Sequence, residues 1–215
     1  MQFSLLDQVT ASIVFQMESV GVYHYNKLTY LTEYLFIKNF GKRLTNEKFI
    51  KLPHGPVISD YRKQITALYS KSIINVNIEE LNKTRKLNDD LIQSKIEILK
   101  TENTANALPS EVMVNSFIQG VVERYGKYSV TELETIVYST EPVIRYKESR
   151  FKKLIGGYVL DNECIRLKDH KNPVTDGRRI ALEHLRKYPI INREQQIELQ
   201  KEFLDLQQFR PVHES

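Results

Sequence analysis

The stretch from Tyr25 to Tyr61, YNKLTYLTEYLFIKNFGKRLTNEKFIKLPHGPVISDY, constrains this chain more than any other. Leu28, Leu31 and Leu35 recur at steps of three and four and so share one helical face. Tyr30, Tyr34 and Ile37 repeat that spacing on an adjacent face. A helix with two apolar faces has little left to show to water, so the pattern predicts a central helix over 25–40. Gly41 predicts its end, because glycine adopts the left-handed conformation of a helix stop and Lys38 places positive charge in the last turn. Phe49-Ile50-Lys51-Leu52 then reads as a short strand or turn. Pro53-His54-Gly55-Pro56 reads as a rigid elbow, since proline fixes φ and glycine permits what other residues cannot. Pro56 suits a first helical position, which predicts a helix over 57–70. Its apolar side would hold Ile58, Tyr61, Ile65, Leu68 and Tyr69.

On either side of this stretch the pattern is also mostly helical. Leu6, Val9, Ile13, Met17 and Val20 predict an amphipathic helix over 3–20, and Tyr23-His24-Tyr25 would link it to the central one. Residues 73–78 and 95–100 alternate β-branched and polar side chains and predict a two-stranded pair. Between them, 79–93 is polar with isolated leucines and reads as a loop or a marginal helix. Residues 103–108 read as a linker. Pro109 would open a helix buried through Val114, Phe117, Ile118, Val121 and Tyr125 and ended by Gly126. Ser129 and Glu132 form a capping-box pair that starts another helix, with Leu133, Ile136 and Val137 inward. A short helix to about Leu154 follows. Gly156-Gly157 marks a boundary, after which 158–160 and 164–167 predict short strands around Asp161-Asn162. Helices are predicted from about Gly177 to Lys187 and from Arg193 to Phe209. The fold class is therefore mainly α with a small β component. It divides into a compact helical domain over 1–155 and a C-terminal α/β extension over 156–215.

The run KLTYLTEYLFIKNFGKRLTNEKFIKLPHGPV resembles the Panacea domain, the family of SocA-like antitoxins and phage-associated proteins. Lys27, Leu28, Tyr30, Leu31, Gly41, His54, Gly55, Pro56 and Val57 stand at matching places. A second matching block, YGKYSVTELETIVYSTEPV, contains the Ser129–Glu132 cap. Relatives often carry a tryptophan after the proline of that block, where this chain has Val143. The resemblance implies an antitoxin that neutralises a cognate protein toxin by direct contact. Some relatives act instead as adaptors that deliver the toxin to a protease. The common motif is then the rigid frame, because leucines at helical spacing are ordinarily core. Specificity would lie in 79–93 and in the region from 156 onward.

Composition narrows the alternatives. One cysteine, Cys164, excludes an internal disulfide and fits a reducing compartment. No apolar run is long enough to cross a bilayer, and the N-terminus lacks the basic flank of an export signal, so a cytoplasmic protein without membrane partners is expected. No Walker loop, G-x-G-x-x-G, H-E-x-x-H, paired C-x-x-C or G-x-S-x-G is present. Histidines 24, 54, 170, 184 and 213 lack metal-ligand spacing. The expectation is a binding protein with neither catalytic residues, metal nor cofactor. Its one candidate for chemistry is a His54–Asp60 pair across the elbow, which reads more simply as a histidine packed in a turn. The Gly55 amide, near the predicted helix N-terminus, offers an anion site, but a plain start to the helix is the preferred reading. Between Pro142 and Arg193, 13 Lys and Arg stand against 6 Asp and Glu, so a DNA-binding autorepressor is the other alternative. The helix after Ser129 does not favour it. That helix carries Glu132 and Glu134 and no basic residue, the wrong charge for a groove lined by phosphates.

Overall fold

A computed structural model describes residues 2–45, 47–52, 55–83, 95–145 and 164–165. The described part is mainly helical with two small antiparallel sheets. Helix α1 (Leu5–Met17) starts on a capping box in which Ser4 Oγ accepts from the Asp7 amide and Asp7 accepts from the Ser4 amide. Strand β1 (Ser19–Gly21) follows directly, after Glu18 turns the backbone at φ 63°. Helix α2 (Val22–Phe40) then runs through the middle of the molecule.

The short β1 was not expected, and it changes two readings. The first helix ends at Met17 rather than near residue 20, and Val20 is buried on a strand. Tyr23-His24-Tyr25 is not a linker but the first turn of α2. Strand β1 pairs with β5 (Glu97–Lys100), which also pairs with β4 (Ile74–Val76), giving the order β1-β5-β4. Val20 and Val76 both face Ile98 across the ladder, and all three are buried. The predicted pair is therefore present as β4 and β5, with a third strand beside it. Ile78 lies outside β4 and begins helix α4 (Ile78–Lys83).

Between α2 and β4 the chain forms a β-hairpin. Strand β2 (Phe49–Leu52) pairs antiparallel with β3 (Gly55–Ile58) in the register Phe49↔Ile58 to Leu52↔Gly55. The expected helix start at Pro56 and Val57 is thus overturned, while Pro53 and His54 of the expected elbow lie outside the described residues. Pro56 lies on a strand, and helix α3 (Tyr61–Ser70) begins three residues after Ile58. Proline is tolerated there because β3 is an edge strand, whose outer side needs no ladder donor. Gly55, the first residue of β3, has φ 113°, a conformation that favours glycine. Of the side chains expected inward on α3, Tyr61, Ile65 and Leu68 are buried while Tyr69 is exposed.

A 3-10 turn over Thr104–Ala107 replaces the expected linker, and Thr104 Oγ1 donates to the Ile73 carbonyl at 2.6 Å. Helix α5 (Val112–Tyr125) starts after Glu111, not at Pro109. Gly126 ends α5 with its amide on the Val122 carbonyl, and helix α6 (Val130–Tyr138) starts on the Ser129–Glu132 capping box. One further helical turn covers 141–145. A two-residue strand, β6 (Cys164–Ile165), adds to β2 and makes the second sheet β3-β2-β6. The remaining expectations beyond 145 lie outside the described residues, as do Pro53, His54 and most of 79–93.

The core sits between α1, α2 and α5. Phe117 of α5 meets Phe36 and Phe40 of α2 edge-on, each at 5.4 Å between ring centres. Phe117→Ala is expected to lower unfolding free energy by about 3–5 kcal/mol through lost burial and a residual cavity. Urea denaturation followed by circular dichroism measures it.

Candidate functional site

Helix α2 is buried along most of its length, and its polar residues are buried with it. Asn26, Lys27, Thr29, Thr32, Glu33 and Asn39 all lie inside. A buried polar group is costly unless it is bonded, so each position shows what the helix holds in place. Thr29 and Thr32 bond back to carbonyls one turn earlier on their own helix. Asn26 and Asn39 do the same through their side-chain amides, to the Val22 and Leu35 carbonyls, while Glu33 reaches beyond the helix.

Glu33 makes the strongest of these links. Its carboxylate accepts from Arg43 Nε at 2.9 Å, from the Thr45 amide at 2.9 Å and from Thr45 Oγ1 at 2.8 Å. The Glu33 side chain is only 1% exposed, so these donors replace its water shell. The Gly41 turn makes the arrangement possible. At φ 75° it reverses the chain and brings Arg43 and Thr45 back beside the helix they have just left. Arg43 also bonds the Glu47 carbonyl, fixing the approach to β2. Burial, and next the Glu33 charge, raise the Glu47 carboxyl above its ordinary range.

Two tyrosines bind α2 to its other neighbours. The Tyr25 hydroxyl donates to Gln64 Oε1 of α3 at 2.7 Å and lies 3.0 Å from Thr10 Oγ1 of α1. Gln64 Nε2 in turn bonds Thr10 Oγ1, which joins three helices at one point. Tyr30 lies 2.9 Å from Thr140 Oγ1. The Thr140 hydroxyl donates to the Val137 carbonyl, so Tyr30 is the donor of that pair. The Tyr30 ring meets Phe49 of β2 edge-on at 5.5 Å and stacks on Tyr34. Burial raises the phenols of Tyr25, to about 12, and of Tyr30. Burial also raises Tyr138, to about 12.

The residues singled out in the sequence fall into this frame. Leu28 and Leu31 are core, and Lys27, at 2% exposure, is among the largest fully buried side chains. A Cβ placed on Gly55 would lie 3.4 Å from Lys27 Nζ and 3.9 Å from the Tyr138 ring. Lys27, Gly55 and Tyr138 thus meet where α2, β3 and α6 come together. Pro56 and Val57 are buried beside them. Because Gly55 lies on a strand, no helix N-terminus stands there to hold an anion. His54 is outside the described residues, while Asp60 is exposed and pairs with Lys63 at 3.2 Å. His24 is half-buried on α2, and its Nε2 finds no hydrogen-bond partner among the described residues. Burial first, and then the Lys27 charge, lower its pKa. Val143 is fully buried, so the position where relatives carry tryptophan is a packing position in this chain. Glu33, Arg43 and Thr45 were missed. The available signal was a carboxylate within a helix whose two apolar faces leave no side for solvent.

Among the described residues, no group of three His, Cys, Asp or Glu side chains is placed to hold a metal ion. No helix among them is long and apolar enough to cross a membrane. What the geometry defines is a rigid scaffold knit by buried polar links around one helix. The chain belongs to the Antitoxin SocA-like, Panacea domain family, whose model matches residues 26–142. That match begins inside α2 and ends just past Thr140, so it includes all three residues of the Lys27–Gly55–Tyr138 junction. No match to the chain is found among curated proteins or among solved structures.

Two outcomes follow from this frame. A β-branched side chain at φ 113° is strained, at a cost of roughly 1–3 kcal/mol, so Gly55→Val is expected to melt at a lower temperature. Differential scanning calorimetry checks it, and an unchanged melt with lost biological activity would instead mark Gly55 as a contact site. Tyr25 is neutral in the fold up to about pH 12, whereas an unfolded tyrosine ionises near 10. Its contribution is therefore complete below pH 10 and lost as pH rises towards 12, by roughly 3 kcal/mol. Tyr25→Phe is expected to flatten that alkaline decline in urea midpoints.

Proposed function

We propose that this protein is an antitoxin that neutralises a cognate protein toxin by direct binding, with no covalent bond made or broken. Membership of the antitoxin family is the observation that carries the reading. The interior supports it. The motif residues are spent on holding α2, the hairpin and α6 together, and a stiff frame loses little entropy when a partner docks. Recognition then falls to surfaces outside the motif. On this reading the toxin's active face is covered by an apolar interface centre ringed by polar groups.

The DNA reading rests on the basic segment from Pro142 to Arg193, nearly all of it outside the described residues. The capped helix α6 does not support it, since α6 is packed into the frame and its Glu132 is exposed.

Co-expression with the product of the adjacent gene tests the proposal. That product alone is expected to stop growth, and this protein is expected to restore it and to co-purify with it. An innocuous neighbour overturns the reading. Under direct neutralisation the toxin persists at an unchanged level. A protease-dependent fall in its level would indicate an adaptor instead.

A further inference from the structure

Two glutamates stand beside the loop that leaves α2, and its donors serve them unequally. Arg43 gives its Nε to the Glu33 carboxylate at 2.9 Å and its Nη2 to the backbone carbonyl of Glu47, not to the Glu47 side chain. Thr45 is divided in the same way. Its amide and hydroxyl donate to Glu33, and its Oγ1 accepts from the Glu47 amide at 3.3 Å. The Glu47 backbone is thus held in the clamp, while its half-buried carboxyl has no hydrogen bond or ion pair among the described residues. Charges reach that carboxyl from four places. Glu33 on α2, Asp60 ahead of α3 and Asp7 on α1 repel its anion, and among the described residues Arg43 attracts it. Lys63 pairs with Asp60, and Lys48, next to Glu47 in sequence, is exposed. The Ser59 amide bonds the Lys48 carbonyl at 3.0 Å, which ties the end of this loop to the end of the hairpin.

We propose that the Glu47 carboxyl is an acid-responsive element built into this joint: protonated, it lets the loop after Gly41 settle against α2, and ionised, it loosens that loop and the entry to the hairpin. The donors of the clamp point at the Glu33 carboxylate and at the Glu47 backbone, so the Glu47 side chain gains a charge there without gaining a partner. Glu33 lies inside the protein, where charges are less screened than in water, so its repulsion is felt. A neutral carboxyl meets neither the desolvation cost nor the repulsion. Burial first, and the Glu33 charge next, raise the Glu47 pKa, with Arg43 opposing them. A carboxyl whose folded pKa lies above its unfolded value of about 4.3 holds its proton more tightly in the fold. Its stabilising contribution is complete below that value and is lost as pH rises through the raised pKa. This is the reverse of a well-paired carboxylate, whose contribution is lost on acidification. The inference rests on the loop geometry and not on the identity of any toxin.

Glu47→Gln in the full chain removes the charge and keeps the shape. At about pH 7 this variant is expected to resist urea better than the wild type, with a several-fold smaller unfolding equilibrium constant, and the two are expected to coincide at about pH 4. Glu47→Asp, which keeps a carboxylate, is expected to keep the wild-type decline with rising pH. Amide hydrogen exchange gives the local readout. At about pH 7 the Thr45 and Ser59 amides are expected to be several-fold better protected in Glu47→Gln than in the wild type. Carbon-13 NMR reads the carboxyl itself. The Glu47 signal, assigned by its absence in Glu47→Gln, is expected to titrate above the range of an unfolded glutamate. A signal that titrates within or below that range, a Glu47→Gln variant no more stable than the wild type at about pH 7, or a gain of equal size at about pH 4 would overturn the proposal.

Discussion

No residue of helix α2 is fully exposed and most are buried, and much of the architecture follows from that. A buried helix must find partners for its polar side chains inside the protein, because an unpaired buried group costs more than a typical hydrogen bond returns. Some of these residues bond back to carbonyls of α2 itself, and three others, Glu33, Tyr25 and Tyr30, commit other elements to a place. Glu33 fixes the loop after Gly41 through Arg43 and Thr45. Tyr25 fixes α1 and α3 through Thr10 and Gln64. Tyr30 fixes the end of α6 through Thr140 and the hairpin through Phe49. Apolar packing supplies the larger share of stability, but it is tolerant of small shifts, whereas these links specify one arrangement.

The hairpin shows how this works at the motif. Glycine at 55 satisfies a demand of the backbone: β3 starts at a positive φ, while a Cβ there would make only ordinary contacts with Lys27 Nζ and the Tyr138 ring. Proline at 56 then occupies an edge strand, where the lack of an amide proton is harmless. The same two residues that look like the start of a helix in sequence thus serve a tight strand turn against a buried lysine.

Legibility in the sequence followed the range of the interactions concerned. Helix α2, its stop at Gly41 and the Ser129–Glu132 cap were readable because all their determinants lie within a few residues of each other. The β4–β5 pair was readable from alternation alone, even with a long insertion between the strands. Strand β1 was not. It is three residues long, follows a helix without a glycine or proline, and exists because β5 offers it an edge. The hairpin was misread because Gly-Pro is equally good chemistry before a helix and inside a turn, and only the pairing of β2 with β3 decides between them. The Glu33 clamp joins residues 10 and 12 positions apart, too far for periodicity to reveal. Family resemblance located the frame, but the polar links that hold it are properties of the packed molecule.

The buried links tie several elements to α2 at once. Substitutions on α2, at Gly55 or at Tyr138 act on several elements at once, because each link is shared. Residues outside the links carry no such burden. Among the described residues, the exposed large apolar side chains Leu5, Tyr69, Leu99, Val130 and Ile144 come from five separate segments, so no one described element supplies a ready apolar stripe. A contact surface assembled from several segments can change at one of them without disturbing α2. The interior in turn keeps those segments at fixed mutual positions, which is what a multi-segment surface needs in order to be recognised. Buried polar bonds around α2 therefore set where each described surface segment stands relative to the others.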